Sequence, residues 1–162
     1  MWIPFQDMPD SSRIWIFQGE KPIDPGELNR IEILMKSFIE DWTSHQSIVK
    51  ASFSIQHQYF IIIAVDEAQV GPSGCSIDKL FRFVQSMESI LGFSLLSKNK
   101  IALMKDNTIV TYNLNEFKSM VKQGSITPVD QYFDLMVQDK VGLDTEWIKP
   151  VTSGWVAKHV LN

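Results

Sequence analysis

Residues 49–65 hold two strand patterns with almost no chain between them. Val49, Ala51, Phe53 and Ile55 alternate with Lys50, Ser52, Ser54 and Gln56, the period of a half-buried strand. Tyr59 to Val65 then runs apolar throughout, the mark of a strand covered on both faces. No helix fits in the gap, so the pair reads as an antiparallel hairpin turning near Gln56 to Gln58. An amphipathic helix pattern lies on each side. Leu28, Ile31, Met35, Phe38 and Trp42 form one stripe, and Ile77, Leu80, Phe81, Val84, Met87 and Leu91 form the other. Two helices and a closely spaced strand pair restrict the chain to an α+β fold.

Local signals fill in the order. Arg13 to Gln18 is rich in strand formers and stops before Gly19 and Pro22. Asp24-Pro-Gly-Glu27 combines a capping acid, a proline at the first helical position and a glutamate three residues after the cap. That helix is expected to end between Thr43 and His45. The second is expected to start about Ser76, capped by Ser76, with Gly92 as its stop. Lys100–Lys105 and Thr108–Asn113 flank Asp106-Asn107 and read as a second hairpin. Asn113-Leu-Asn-Glu116 caps a short helix that stops at Gly124. The order strand, helix, strand, strand, helix, strand predicts a ferredoxin-like βαββαβ core over 13–105, with helices on one face of an antiparallel sheet. Residues 106–162 then supply a hairpin strand, a short helix and a C-terminal extension. Tyr132 to Val137 fits strand or helix, and Trp147 and Trp155 are expected to pack the extension onto the domain.

The 162 residues fit one domain, 44% hydrophobic and 21% charged, within ordinary globular usage. The net charge of −4 and singly scattered Lys and Arg argue against a nucleic-acid partner. No apolar run is long enough to span a bilayer. One cysteine forms no internal disulfide, and the first residues lack a secretory pattern; both point to the cytoplasm.

The stretch Gln69-Val-Gly-Pro-Ser-Gly-Cys-Ser-Ile-Asp-Lys-Leu80 superficially matches a phosphate-binding loop. Such a loop needs a second glycine, a lysine and a hydroxyl at fixed places, so that backbone N–H groups, a cation and magnesium meet the phosphates. Counted from Gly71, those places hold Ser76, Ile77 and Asp78. Lys79 arrives two residues late. Asp66, Glu67 and Asp78 bring like charge to any polyanion, against a helix-dipole attraction of about 0.3–1 kcal/mol. The residues therefore argue against ATP binding, and no cofactor is expected.

The chain nevertheless resembles an uncharacterised bacterial family of small cytosolic proteins often labelled "ABC transporter ATPase". The resemblance rests on Trp42-Thr-Ser-His45, Lys50-Ala-Ser-Phe53, Phe60 to Glu67 and Ser73-Gly-Cys-Ser-Ile-Asp78. It implies that label for this chain and carries over no catalytic residue.

Two site readings follow from the residues. In the first, the 66–78 loop and the following helix start form a non-catalytic binding or regulatory site, using Glu67, Ser73, Gly74, Ser76 and Asp78. In the second, Cys75 is a nucleophile with His45 as base and Asp66 as orienting acid, or Asp66, Glu67 and Asp78 hold a hard cation. The ordinary alternative for Cys75 is a buried, inert thiol, and that is the expectation. His45, His57 and His159 match no zinc spacing, so no metal site is expected.

Overall fold

The computed structural model describes residues 1–161. It is a mixed α/β structure with antiparallel sheets. The described residues form two compact units, one of 1–96 and 138–141, the other of 97–137 and the residues from 142 onward.

The first unit is built on β1 (Arg13–Gln18), β4 (Ala51–Gln56) and β5 (Phe60–Val65), in the order β1-β5-β4, every pair antiparallel. Phe17, Ile61, Ile63, Val65 and Ala51 lie on one face of this sheet. They pack with Ile31, Met35 and Ile39 of α1 (Pro25–Asp41) and Leu80, Val84 and Met87 of α2 (Gly74–Leu91). Each of the larger side chains among these contributes roughly 1.5–3 kcal/mol by leaving water, and the Ala51 methyl less. Every residue of β5 is buried, as its unbroken apolar run requires. The Asp24 carboxylate caps α1 by accepting from the Gly26 N–H at 2.7 Å.

Between the two helical segments, β2 (Thr43–Ser44) and β3 (Ser47–Ile48) form a two-stranded hairpin. The first helix therefore stops at Asp41, short of the expected 43–45. The second starts at Gly74, and its cap is Ser73, not Ser76: the Ser73 hydroxyl accepts from the Ser76 N–H at 3.2 Å.

The ferredoxin-like order fails at its fourth strand. β6 (Ile101–Lys105) lies in a separate sheet, β7-β6-β8-β9, with β7 (Thr108–Tyr112), β8 (Gln131–Phe133) and β9 (Ile148–Pro150). The reason is edge occupancy. The Asp106-Asn107 turn folds β7 back on one edge of β6, and β8 takes the other. The expected neighbour, β1, is met by a later segment instead: the Ile14 N–H donates to the Gln138 carbonyl at 2.9 Å.

In the second unit, α3 (Leu114–Lys122) starts with the expected capping box of Asn113 and Glu116. Phe117 sits among Ile101, Leu103, Ile126, Tyr132, Val151 and Val156. Residues 131–133 are strand, and the ambiguous stretch from Tyr132 goes no further as regular structure than Phe133. Trp147 is buried edge-on to Phe133, whereas Trp155 is 44% exposed and does not pack as expected. A short helix, α4, covers Lys140–Thr145.

Candidate functional site

Three hydrogen bonds fix the start of α2 and the loop before it to Trp42 and the β2–β3 hairpin. The Trp42 indole N–H donates to the Ser76 carbonyl at 2.9 Å in a buried setting. The Ser44 hydroxyl donates to the Gly71 carbonyl at 3.1 Å and accepts from the Ser73 N–H at 3.0 Å. Ser44 is itself buried, and its one hydroxyl serves two backbone groups of the loop before α2. Ser76, also buried, returns its hydroxyl to the Ser73 carbonyl at 2.8 Å.

The hairpin turns through His45 and Gln46, with φ of +49° and +68°. Two successive left-handed residues make the tight turn whose twist suits a two-residue hairpin. Neither is glycine, so the turn holds side chains where glycine would leave none. Thr43, His45 and Gln46 thereby line one side of a cavity of about 650 Å³. Ser73, Gly74, Cys75, Ser76 and Lys79 line the other. Lys79 also borders a second cavity of about 270 Å³, between α1 and α2, with Phe38, Trp42, Phe83 and Asp41.

Cys75 is exposed, contrary to the buried thiol expected. The buried stripe of α2 runs through Ser76, Leu80, Val84 and Met87, and Cys75 sits one residue, about 100° of rotation, away from it. Cys75 and His45 share the cavity wall, but Asp66 is not part of it. The Asp66 carboxylate accepts from the Ala68 N–H at 3.0 Å and pairs with Lys50 at 3.0 Å. The Ala68 N–H, then the Lys50 ammonium, hold that carboxyl below its usual range. Glu67 faces Arg13 at 3.5 Å, both side chains half exposed, and is also no part of the wall. Asp78 is exposed on α2 and likewise outside it. Among the described residues no three His, Cys, Asp or Glu side chains form a metal-binding group.

The structure thus gathers His45, Ser73, Gly74, Cys75 and Ser76, and leaves Asp66, Glu67 and Asp78 apart. Sequence reading missed Thr43, Gln46 and Lys79 as wall residues. Lys79 carried a signal, a cation one turn into a helix with a free N-terminal turn. Thr43 and Gln46 carried none, because their hairpin lacks the Asn-Gly or Asp-Gly that marks such turns.

No helix among the described residues is long and apolar enough to cross a membrane. No protein-family model, curated protein or solved structure matches the chain.

Proposed function

We propose that the chain is a non-catalytic binding or regulatory module whose ligand is a small anion held in the cavity between the 43–48 hairpin and the start of α2. One observation carries the reading. The side chains of His45, Cys75 and Lys79 line a single cavity, and none of them has a hydrogen-bond or ion-pair partner among the described residues. The N–H groups of Gly74 and Cys75, in the first turn of α2, are likewise without a carbonyl to donate to. A helix start with free N–H groups and a nearby lysine favours negative charge. Polyphosphates are disfavoured by the absent lysine at position 77 and by Asp41, which borders the neighbouring cavity that Lys79 also lines. The resemblance to the family labelled "ABC transporter ATPase" belongs to this proposal without the ATPase activity, as does a cytoplasmic setting. No nucleic-acid partner forms part of it.

A thiol-dependent enzyme is the second reading, favoured by Cys75 and His45 sharing one wall. Its orienting acid is lacking, since Asp66 serves Lys50 and Ala68. Alkylation of Cys75 by iodoacetamide, with and without acetate or inorganic phosphate, tests both. A rate slowed by either anion supports the binding module. A rate that levels off near neutral pH and falls in His45→Ala supports thiolate chemistry instead. A rate indifferent to anions defeats the proposal.

A further inference from the structure

The cavity between α1 and α2 carries chemistry that a simple anion does not use. Its walls come from the second half of α1, from Trp42 and from α2. Leu34, Phe38, Trp42 and Phe83 make it apolar. Phe38 lies flat on Phe83, with ring centres 4.3 Å apart and planes 7° from parallel, and tilts against Trp42. Trp42 is held in turn by the Ser76 carbonyl. The apolar wall is therefore set before a ligand arrives.

Two charged side chains, Asp41 and Lys79, complete the lining. They form no ion pair with each other, and neither has another hydrogen-bond or ion-pair partner among the described residues. Helix stability does not account for Asp41. It is the last residue of α1, where an acid opposes the helix dipole. The cavity thus lies between the negative end of one helix, which carries the acid, and the positive end of the next, near which the lysine stands. Backbone and side chains give it the same polarity.

We infer that this cavity takes an apolar α-amino acid, with its ammonium at Asp41, its carboxylate at Lys79 and its side chain against Leu34, Phe38 and Phe83. The inference rests on the anion reading above: the carboxylate is the anion, and Lys79 lines both cavities. Charge complementarity selects the ligand class. A simple anion leaves Asp41 unpaired and the apolar wall in water. A simple amine leaves Lys79 unpaired. A zwitterion with an apolar side chain answers the acid, the base and the wall together. Size agrees, since about 270 Å³ lies below the roughly 300–1,000 Å³ of pockets that hold drug-sized ligands.

NMR titration of the 15N-labelled chain with L-phenylalanine and, separately, L-leucine tests the inference, with acetate as the reference anion. At least one amino acid is expected to give saturable shifts at the Phe38, Asp41, Lys79 and Phe83 amides, with an affinity about tenfold or more above that of acetate. Its deaminated and decarboxylated counterparts (for phenylalanine, hydrocinnamate and phenethylamine) should each bind about tenfold or more weaker than the amino acid. Asp41→Asn should weaken the amino acid by a similar factor and leave acetate unchanged. Acetate shifts at Gly74 and Cys75 with no tighter binding of either amino acid overturn the inference and leave the anion reading standing. No saturable shift with the amino acids, acetate or inorganic phosphate overturns both. A deaminated counterpart that binds as tightly as the amino acid, or an Asp41→Asn chain that binds it unchanged, also overturns the inference.

Discussion

The indole of Trp42 and the carbonyl of Ser76 meet at 2.9 Å in the interior of the first unit. Trp42 caps the end of α1, and Ser76 lies in the first turn of α2. This bond therefore sets where the second helix begins relative to the end of the first. It also places the hairpin that follows Trp42 beside that helix start. Trp42→Phe keeps most of the apolar volume and removes the donor. A loss of roughly 1–3 kcal/mol is expected in denaturant melts, from the missing bond and the small cavity. A change within a few tenths of a kcal/mol would show that the bond does not hold the site.

The cap assignment separates two serines. Ser73→Ala removes the acceptor for the Ser76 N–H and should cost about 0.5–2 kcal/mol. Ser73→Asp keeps an acceptor and should recover most of it. Ser76→Ala removes a hydroxyl that donates to the Ser73 carbonyl and accepts from the Ser73 hydroxyl but leaves the capped N–H in place, and urea melts should show it as the milder change. A larger loss from Ser76→Ala than from Ser73→Ala would return the cap to Ser76.

Acid should weaken the fold through three carboxyls. Asp66 is held low by the Ala68 N–H and Lys50. For Glu88, burial raises the carboxyl, and the N–H groups of Leu96 and Leu95 with the Ser94 hydroxyl more than offset it. For Asp130, burial is again offset, by the Thr127 N–H and Lys105. Each ionises at lower pH in the folded chain than in the unfolded one. The unfolded chain thus binds more protons in that window, and stability falls as the pH drops. The contribution is complete above the ordinary values of 3.8 for the aspartates and 4.5 for the glutamate, and is lost through the lower folded values. Urea midpoints followed from about pH 7 to about pH 3 should fall less steeply in Asp66→Asn than in the parent chain. Equal slopes would rule out Asp66 as a contributor.

Gly154 holds φ of +68°, and a Cβ there would overlap the Tyr132 hydroxyl. Gly154→Ala should destabilise by about 1 kcal/mol or more, from backbone strain and the overlap together. Adding Tyr132→Phe should recover part of the loss by removing the hydroxyl, a coupling that a double-mutant cycle reads directly. Strict additivity would refute the contact.

The local part of this fold was legible and the non-local part was not. Asp24, Asn113 and Glu116 announced their helix starts because capping depends on a few neighbouring residues. The strand pair at 51–65 was legible because its gap admitted only a hairpin. The sheet of β6 was not, since the strand's partners are chosen by which edges remain free, and β8 lies far along the chain. The 43–48 hairpin was hidden because His45 and Gln46 take left-handed conformations without glycine or asparagine. The site suffered from both effects. Ser73 to Ser76 could be read from the helix start, and Cys75 and His45 could be named. Lys79, Thr43 and Gln46 joined them only through that hidden hairpin.

An NMR titration of the 15N-labelled chain with inorganic phosphate, and separately with acetate, tests the proposed site most directly. The account predicts saturable shifts at the Gly74 and Cys75 amides and the His45 side chain, weakened about tenfold or more in affinity by Lys79→Gln. Saturable shifts centred elsewhere, or none at Gly74 and Cys75 with either anion, would contradict it.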